Sequence, residues 1–270
     1  MSLARPGDDR RMASLPTDRA ERRTCLTIDL ENYSKLEGPA QDDAQRGLSD
    51  ALAAAAAAAG LERMSWVRQE SGDRELAVLP SEEDIPRALG EFPYALDERF
   101  RALHSRTGVW LRARMAISQG MVKAAPMGIA GWGPCDVTRI SDAPAVYHAL
   151  RNAHGAYLVL AISAELYRDY VQQGHTTMKP DQFRQVDVPD INGSAWITLP
   201  RIDPSQIPVY TADAEPEPTA AGHQQVNATN SSVVQSGRDS VNGSYNNTYT
   251  RNDFHSPVQI DTMHFGPRHG

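Results

Sequence analysis

The sequence predicts an α+β domain, a mainly antiparallel sheet with helices segregated on one face, followed by a tail of different composition. Two observations carry this. Short alternating apolar runs and longer stretches of helical spacing follow one another as strand, helix, hairpin, helix, strands, helix, strand, helix, hairpin across residues 23–202, a span long enough to bury a core. From residue 222 onward the aliphatics thin out and Asn, Gln, Ser, Thr and Gly dominate, a composition that cannot bury enough surface to order itself.

Residues 1–22 carry charges, Pro6 and Pro16 but no periodicity, and are read as a flexible leader. Arg23 to Leu30 alternates as a strand does, and Gln41 to Gly60 is an Ala-rich helix with Gly60 as its stop. Leu61 to Gln69 and Glu75 to Leu79 form a hairpin whose turn, Ser71-Gly-Asp-Arg74, lifts Asp73 to its tip. Glu82 to His104 has helical spacing, with a break expected from Pro86 and Pro93. Val109 to Ser118 is a strand, Gly128 to Pro134 a loop, and Asp136 to Ala153 a helix that must adjust at Pro144. Tyr157 to Ala161 is a strand, Ser163 caps a short helix through Val171, and Phe183 to Val188 pairs with Ala195 to Leu199. Residues 203–221, with Pro204, Pro208, Pro216 and Pro218 among alternating acids, are a linker, and residues 222–270 are the low-complexity tail.

A net charge of −7, from 27 basic and 34 acidic residues, argues against a general affinity for nucleic-acid backbone. Cys25 and Cys135 stand apart with no Cys/His cluster, so neither a zinc site nor a disulfide framework is expected, and the chain reads as reduced and cytoplasmic. The charged N-terminus lacks the apolar core of a signal peptide, and the run Ala51 to Ala59 is too short to span a bilayer. No membrane association is expected. The histidines, His104, His148, His154 and His175 among them, fall at no metal-binding spacing.

The chemistry concentrates at Thr27-Ile-Asp-Leu-Glu-Asn-Tyr-Ser34 and its echo at Glu70-Ser-Gly-Asp-Arg74. Each puts a carboxylate, Asp29 or Asp73, at the edge of an apolar run, where it gains from a cation. Two such acids on neighbouring strands can hold a divalent metal, and the turn after Asp29 can offer backbone N–H groups to phosphate as it opens a helix.

These motifs, in this order and spacing, resemble the class III nucleotidyl cyclases, whose fold is ferredoxin-like, and in particular the divergent cyclase-like proteins of actinobacterial and antiphage settings. The carriers are Asp29-Leu-Glu-Asn-Tyr-Ser34, Gly72-Asp73, Arg114-Met-Ala-Ile-Ser-Gln-Gly120-Met-Val122, and Gly133 through Ala145, over residues 23–199. The resemblance implies two Mg2+ or Mn2+ ions held by Asp29 and Asp73 with the Leu30 carbonyl, phosphates on Glu31, Asn32, Tyr33 and Ser34, and Arg139 stabilising the transferring phosphoryl group across a homodimer. It implies a nucleoside triphosphate as substrate and a 3′,5′-cyclic nucleotide as product.

Two departures favour a second function. Arg74 stands where many relatives have glycine, and Cys135 where the family has asparagine. No base-reading lysine is present near Gln69, which leaves Gln69, Cys135 and Asp136 as candidates to read a base. The alternative is a catalytically inactive cyclase-fold adaptor that binds nucleotide or dimerises. Plainer roles stand beside these. Asp29 can cap a turn, Asp73 can be an ordinary hairpin residue, and Arg139 can be a surface charge; Arg112 and Arg114 read as a solvated strand face.

In the tail, Val233, Val234, Gln235 and Gly237, with Val258, Gln259 and Ile260, form two β-prone cores among asparagines. They resemble amyloid-signalling motifs that recruit an effector protein by co-assembly, against the plainer reading of a disordered tail.

Overall fold

The computed structural model describes residues 15–210, so the tail cores at Val233–Gly237 and Val258–Ile260 lie outside the described residues. Its strands are β1 (Glu21–Leu30), β2 (Val67–Ser71), β3 (Arg74–Val78), β4 (Ala113–Ala125), β5 (Gly128–Ala130), β6 (Leu158–Ser163), β7 (Arg184–Val188) and β8 (Gly193–Thr198). The helices are α1 (Gly38–Ala59), α2 (Ile85–Leu89), α3 (Glu91–Thr107), α4 (Trp132–Ser141) and α5 (Pro144–Asn152), with a short turn from Ala164 continuing through Tyr167–Val171. The sheet runs β2-β3-β1-β4-β6-β8-β7, with β5 folded back on β4. All its pairs are antiparallel except β4 with β6, so the α+β class and the mainly antiparallel sheet hold.

The helices do not keep to one face. Strand residues alternate, and in the central strands both sets are apolar. Leu26, Ile28, Met115, Ile117, Leu158 and Leu160 face the layer of α1 and α3, where Leu48, Leu52, Phe92, Leu96 and Phe100 meet them. Cys25, Ala116, Val122, Val159 and Ala161 face the layer of α4 and α5, packing with Val137, Ile140, Val146 and Leu150. A strand apolar on both sides must be covered on both sides. Asp29, odd-numbered on β1, therefore belongs with the α4–α5 face.

Several boundaries moved for identifiable reasons. Helix α1 begins at Gly38, with Pro39 in its first turn, and Gly60 closes it in the left-handed region as expected. Strand β2 starts only at Val67, because Arg63 is drawn inward to a buried ion pair with Glu75 at 2.5 and 2.7 Å and the chain before it coils. The break in the second helical stretch falls at Gly90, while Pro86 and Pro93 sit in first turns where their missing N–H costs nothing. The stretch read as a loop before α4 contains β5 and the first residues of α4, and Pro144 does not bend one helix but starts a second.

Helix α4 crosses the sheet closely because two glycines meet there. A Cβ on Gly120 of β4 would lie 2.5 Å from the Cα of Gly133. That approach brings the C-terminal end of α4, and Asp142 beyond it, over the end of β1.

Candidate functional site

Antiparallel register decides what Asp29 meets. On β1 it stands between Arg74 of β3 and Arg114 of β4, its direct partners on either side. Asp29 and Arg114 are both buried, at 6% and 5% exposure, and Arg114 Nη2 donates to Asp29 Oδ2. Arg74 Nε lies 3.4 Å from the other oxygen, Oδ1. Arg74 in turn donates to both oxygens of Asp142 at 3.0 and 2.5 Å, so one guanidinium ties β1, β3 and the end of α4 together. Burial opposes its charge, but the ion pairs with Asp142 and Asp29 outweigh that and hold Arg74 above the ordinary guanidinium range.

Asp73 reaches the same place through the turn. Gly72 takes a positive φ of 61°, and the Asp73 carbonyl accepts from Leu30 N–H at 3.2 Å, pinning the hairpin tip to the end of β1. Burial raises the Asp73 carboxyl above its usual range, and the nearby charge of Asp29 raises it further. Both acids line one open cavity of about 520 Å³ together with Leu30, Glu31, Asn32, Tyr33 and Ser34. The tertiary structure thus brings together the seven residues expected to hold metal and phosphate.

The cations around them are not where the strand alternation puts them. Arg112 and Arg114 are not a solvated strand face, since Arg112 pairs with Glu31 at 3.2 Å and donates to the carbonyls of Leu150, Ala153 and Ala156, and the Arg114 guanidinium sits 3.7 Å over the Tyr147 ring. The reason is the register: cross-strand carboxylates draw both side chains inward. The cavity wall carries five cations, Lys35, Arg74, Arg112, Arg114 and Arg151, against three acids, Asp29, Glu31 and Asp73. Lys35 and Arg151 are exposed and have no ion-pair partner among the described residues. Arg114 Nε is buried without a hydrogen-bond partner among the described residues. Asp142, Tyr147 and Arg151 were missed; the i, i+4 spacing of Tyr147 and Arg151 on α5 was the only signal available.

The donor set does not fit a pair of divalent metals. Hard cations of this kind need several carboxylate or carbonyl oxygens within about 2.5 Å, whereas both oxygens of Asp29 already face guanidinium nitrogens. No group of three or more His, Cys, Asp and Glu side chains suited to a metal occurs among the described residues. The turn after Asp29 is a single 3-10 turn, Tyr33–Lys35, rather than the start of a helix.

The remaining candidates lie elsewhere in the chain. Arg139 pairs with Asp136 at 3.3 Å and lies 5.5 Å from the Trp132 ring, away from the cavity wall. Gln69 accepts from Ile129 N–H at 3.4 Å beside β5, and Cys135 is exposed on α4. Within one chain, none of Arg139, Gln69, Cys135 and Asp136 lines the Asp29 cavity. No helix among the described residues is long and apolar enough to cross a membrane.

No protein-family model matches the chain, and no curated protein does. Among solved structures, the chain is similar to the monomeric guanylyl cyclase domain of the RhoGC fusion protein from the aquatic fungus Blastocladiella emersonii, with 17% identity over 68% of this chain and 99% of that one and a TM-score of 0.46. It is also similar to the guanylate cyclase domain of RhGC from Catenaria anguillulae in complex with GTP, with 19% identity, 67% and 98% coverage and a TM-score of 0.47. A third is the adenylate/guanylate cyclase/hydrolase from Silicibacter pomeroyi, with 16% identity, 68% and 100% coverage and a TM-score of 0.47. At such identities and TM-scores these likenesses say nothing of this chain's chemistry, which rests on its own residues.

Proposed function

We propose that the chain is a cyclase-fold signalling module that binds the phosphate chain of a nucleoside triphosphate without metal ions, its arginines doing what divalent cations would otherwise do. One observation carries the reading: the wall of the cavity holding Asp29 and Asp73 has five cations against three acids, and two of the cations, Lys35 and Arg151, have no ion-pair partner among the described residues. Guanidinium groups match phosphate geometry, and Lys35 and Arg151 at the surface attract it. In this reading the tail recruits the effector, and a homodimer of the kind the resemblance implies brings a partner's α4 to the site.

The test is calorimetric titration of the full chain with ATP and GTP in EDTA. Binding that survives EDTA, weakens with salt and falls at least tenfold in a Lys35→Ala, Arg151→Ala double variant supports the proposal. Loss of all binding in EDTA would sink it. The competing reading, a cyclase that makes a 3′,5′-cyclic nucleotide with Mg2+ or Mn2+, has one observation in its favour, that Asp29 and Asp73 line one cavity. Cyclic product formed by the wild type and lost in Asp73→Ala would establish it instead. Deleting residues 222–270 tests the tail: partner capture that persists without it removes the adaptor role.

A further inference from the structure

A second cavity, of about 410 Å³, adjoins the arginine-rich one and shares Leu30, Glu31, Asn32, Tyr33 and Arg112 with it. The ion pair of Glu31 and Arg112 belongs to that common wall. Beyond the wall the character changes. Leu36, Val109, Trp110 and Leu111 make this side largely apolar, with Asn32 and Asp43 as its few polar groups. Its volume lies in the range of small-molecule sites, and an apolar slot with a few polar groups is their usual chemistry.

Trp110 is the feature that points to an occupant. It is half exposed, and Leu36 and Val109 beside it are each 37% exposed, although the indole stacks on His104 with ring centroids 5.7 Å apart and planes 10° from parallel and the Arg112 guanidinium lies 5.3 Å from its ring centre. A flat aromatic group lodged against Trp110 and Tyr33 would cover this surface. Tyr33 lines both cavities, so a ligand with an aromatic end and a polyanionic end can pass it at the join.

We infer that the nucleobase of the bound nucleotide occupies the Trp110 cavity of the same chain; within one chain, Gln69, Cys135 and Asp136 line neither cavity. The inference rests on the proposed phosphate site. Stacking is tolerant of base identity, because every base has a π face, so the slot favours purines over pyrimidines by surface alone.

The experiment compares ATP, UTP and inorganic tripolyphosphate in EDTA on the full chain, as wild type and as Trp110→Ala. The expected result is ATP binding tighter than UTP and UTP tighter than tripolyphosphate, with Trp110→Ala weakening ATP about tenfold and leaving tripolyphosphate unchanged. Leu36→Ala, also on the apolar wall, should reproduce that split if the tryptophan variant melts early. Nucleotides that bind no better than tripolyphosphate, or a Trp110→Ala effect equal on both, would overturn the inference while leaving the phosphate site intact. If tripolyphosphate itself does not bind, the phosphate site fails and the inference goes with it.

Discussion

Asp29 and Arg114 stand directly opposite one another on β1 and β4 as an ion pair buried on both sides. A pair so placed gains its strength from the partner rather than from water, and its cost appears when one member is removed. Asp29→Asn leaves Arg114 charged and buried, and should lower the unfolding free energy by about 3–5 kcal/mol. Replacing both together, Asp29→Leu with Arg114→Met, should recover most of that loss. Urea titrations of the three variants check it; a single variant as stable as the wild type would show that the pair is not formed.

Arg74 lies against one oxygen of Asp29, held there by Asp142. Arg74→Gly frees one oxygen of Asp29 and leaves Asp73 beside it. The variant should bind Mn2+ at least tenfold more tightly than the wild type, as followed by the Mn2+ paramagnetic resonance signal. Equal affinities would mean that the guanidinium does not block the seat.

Asp73 gives a pH signature. Its carboxyl is raised above the normal range by burial and by Asp29, so the ionised form is disfavoured in the folded state. The sign follows: the wild type loses stability as pH rises through the folded-state value, and Asp73→Asn does not. The melting temperature of Asp73→Asn should match the wild type at the acid end of the carboxylate range and exceed it at pH 7. A gap that narrows toward neutrality contradicts this.

The two cysteines should behave oppositely. Cys25 is fully buried, and burial, with Asp136 nearby, pushes its thiol up to about 12, whereas Cys135 is exposed. Ellman's reagent should label Cys135 alone in the native protein and both after denaturation. Native labelling of a Cys135→Ser variant would show that the β1–α4 packing opens.

Much of the fold was legible because it is written in local periodicity. The alternation in Arg23 to Leu30, the Ala-rich run ending at Gly60 and the hairpin signal at Gly72-Asp73 each found their element, since a chain's short-range spacing sets which face of a strand or helix is apolar. Boundaries failed where a distant partner intervened, as when Glu75 pulled Arg63 inward and delayed β2. The second helix layer is not legible in local spacing, because the face of Cys25 on β1, Ala116 on β4 and Val159 and Ala161 on β6 becomes a core only when these strands are paired and α4 and α5 cover them.

By itself the sequence determined that Asp29 stands at the end of a strand and Asp73 at a hairpin tip, since both positions follow from strand and turn signals a few residues long. Only the tertiary structure decided which cation would answer them. Register on both sides of β1 set Arg74 and Arg114 against a single carboxylate, and the close crossing at Gly120 and Gly133 delivered Asp142 to hold Arg74 in place. Charge pairing acts over a few ångströms between residues far apart in the chain, and no spacing along the chain encodes it.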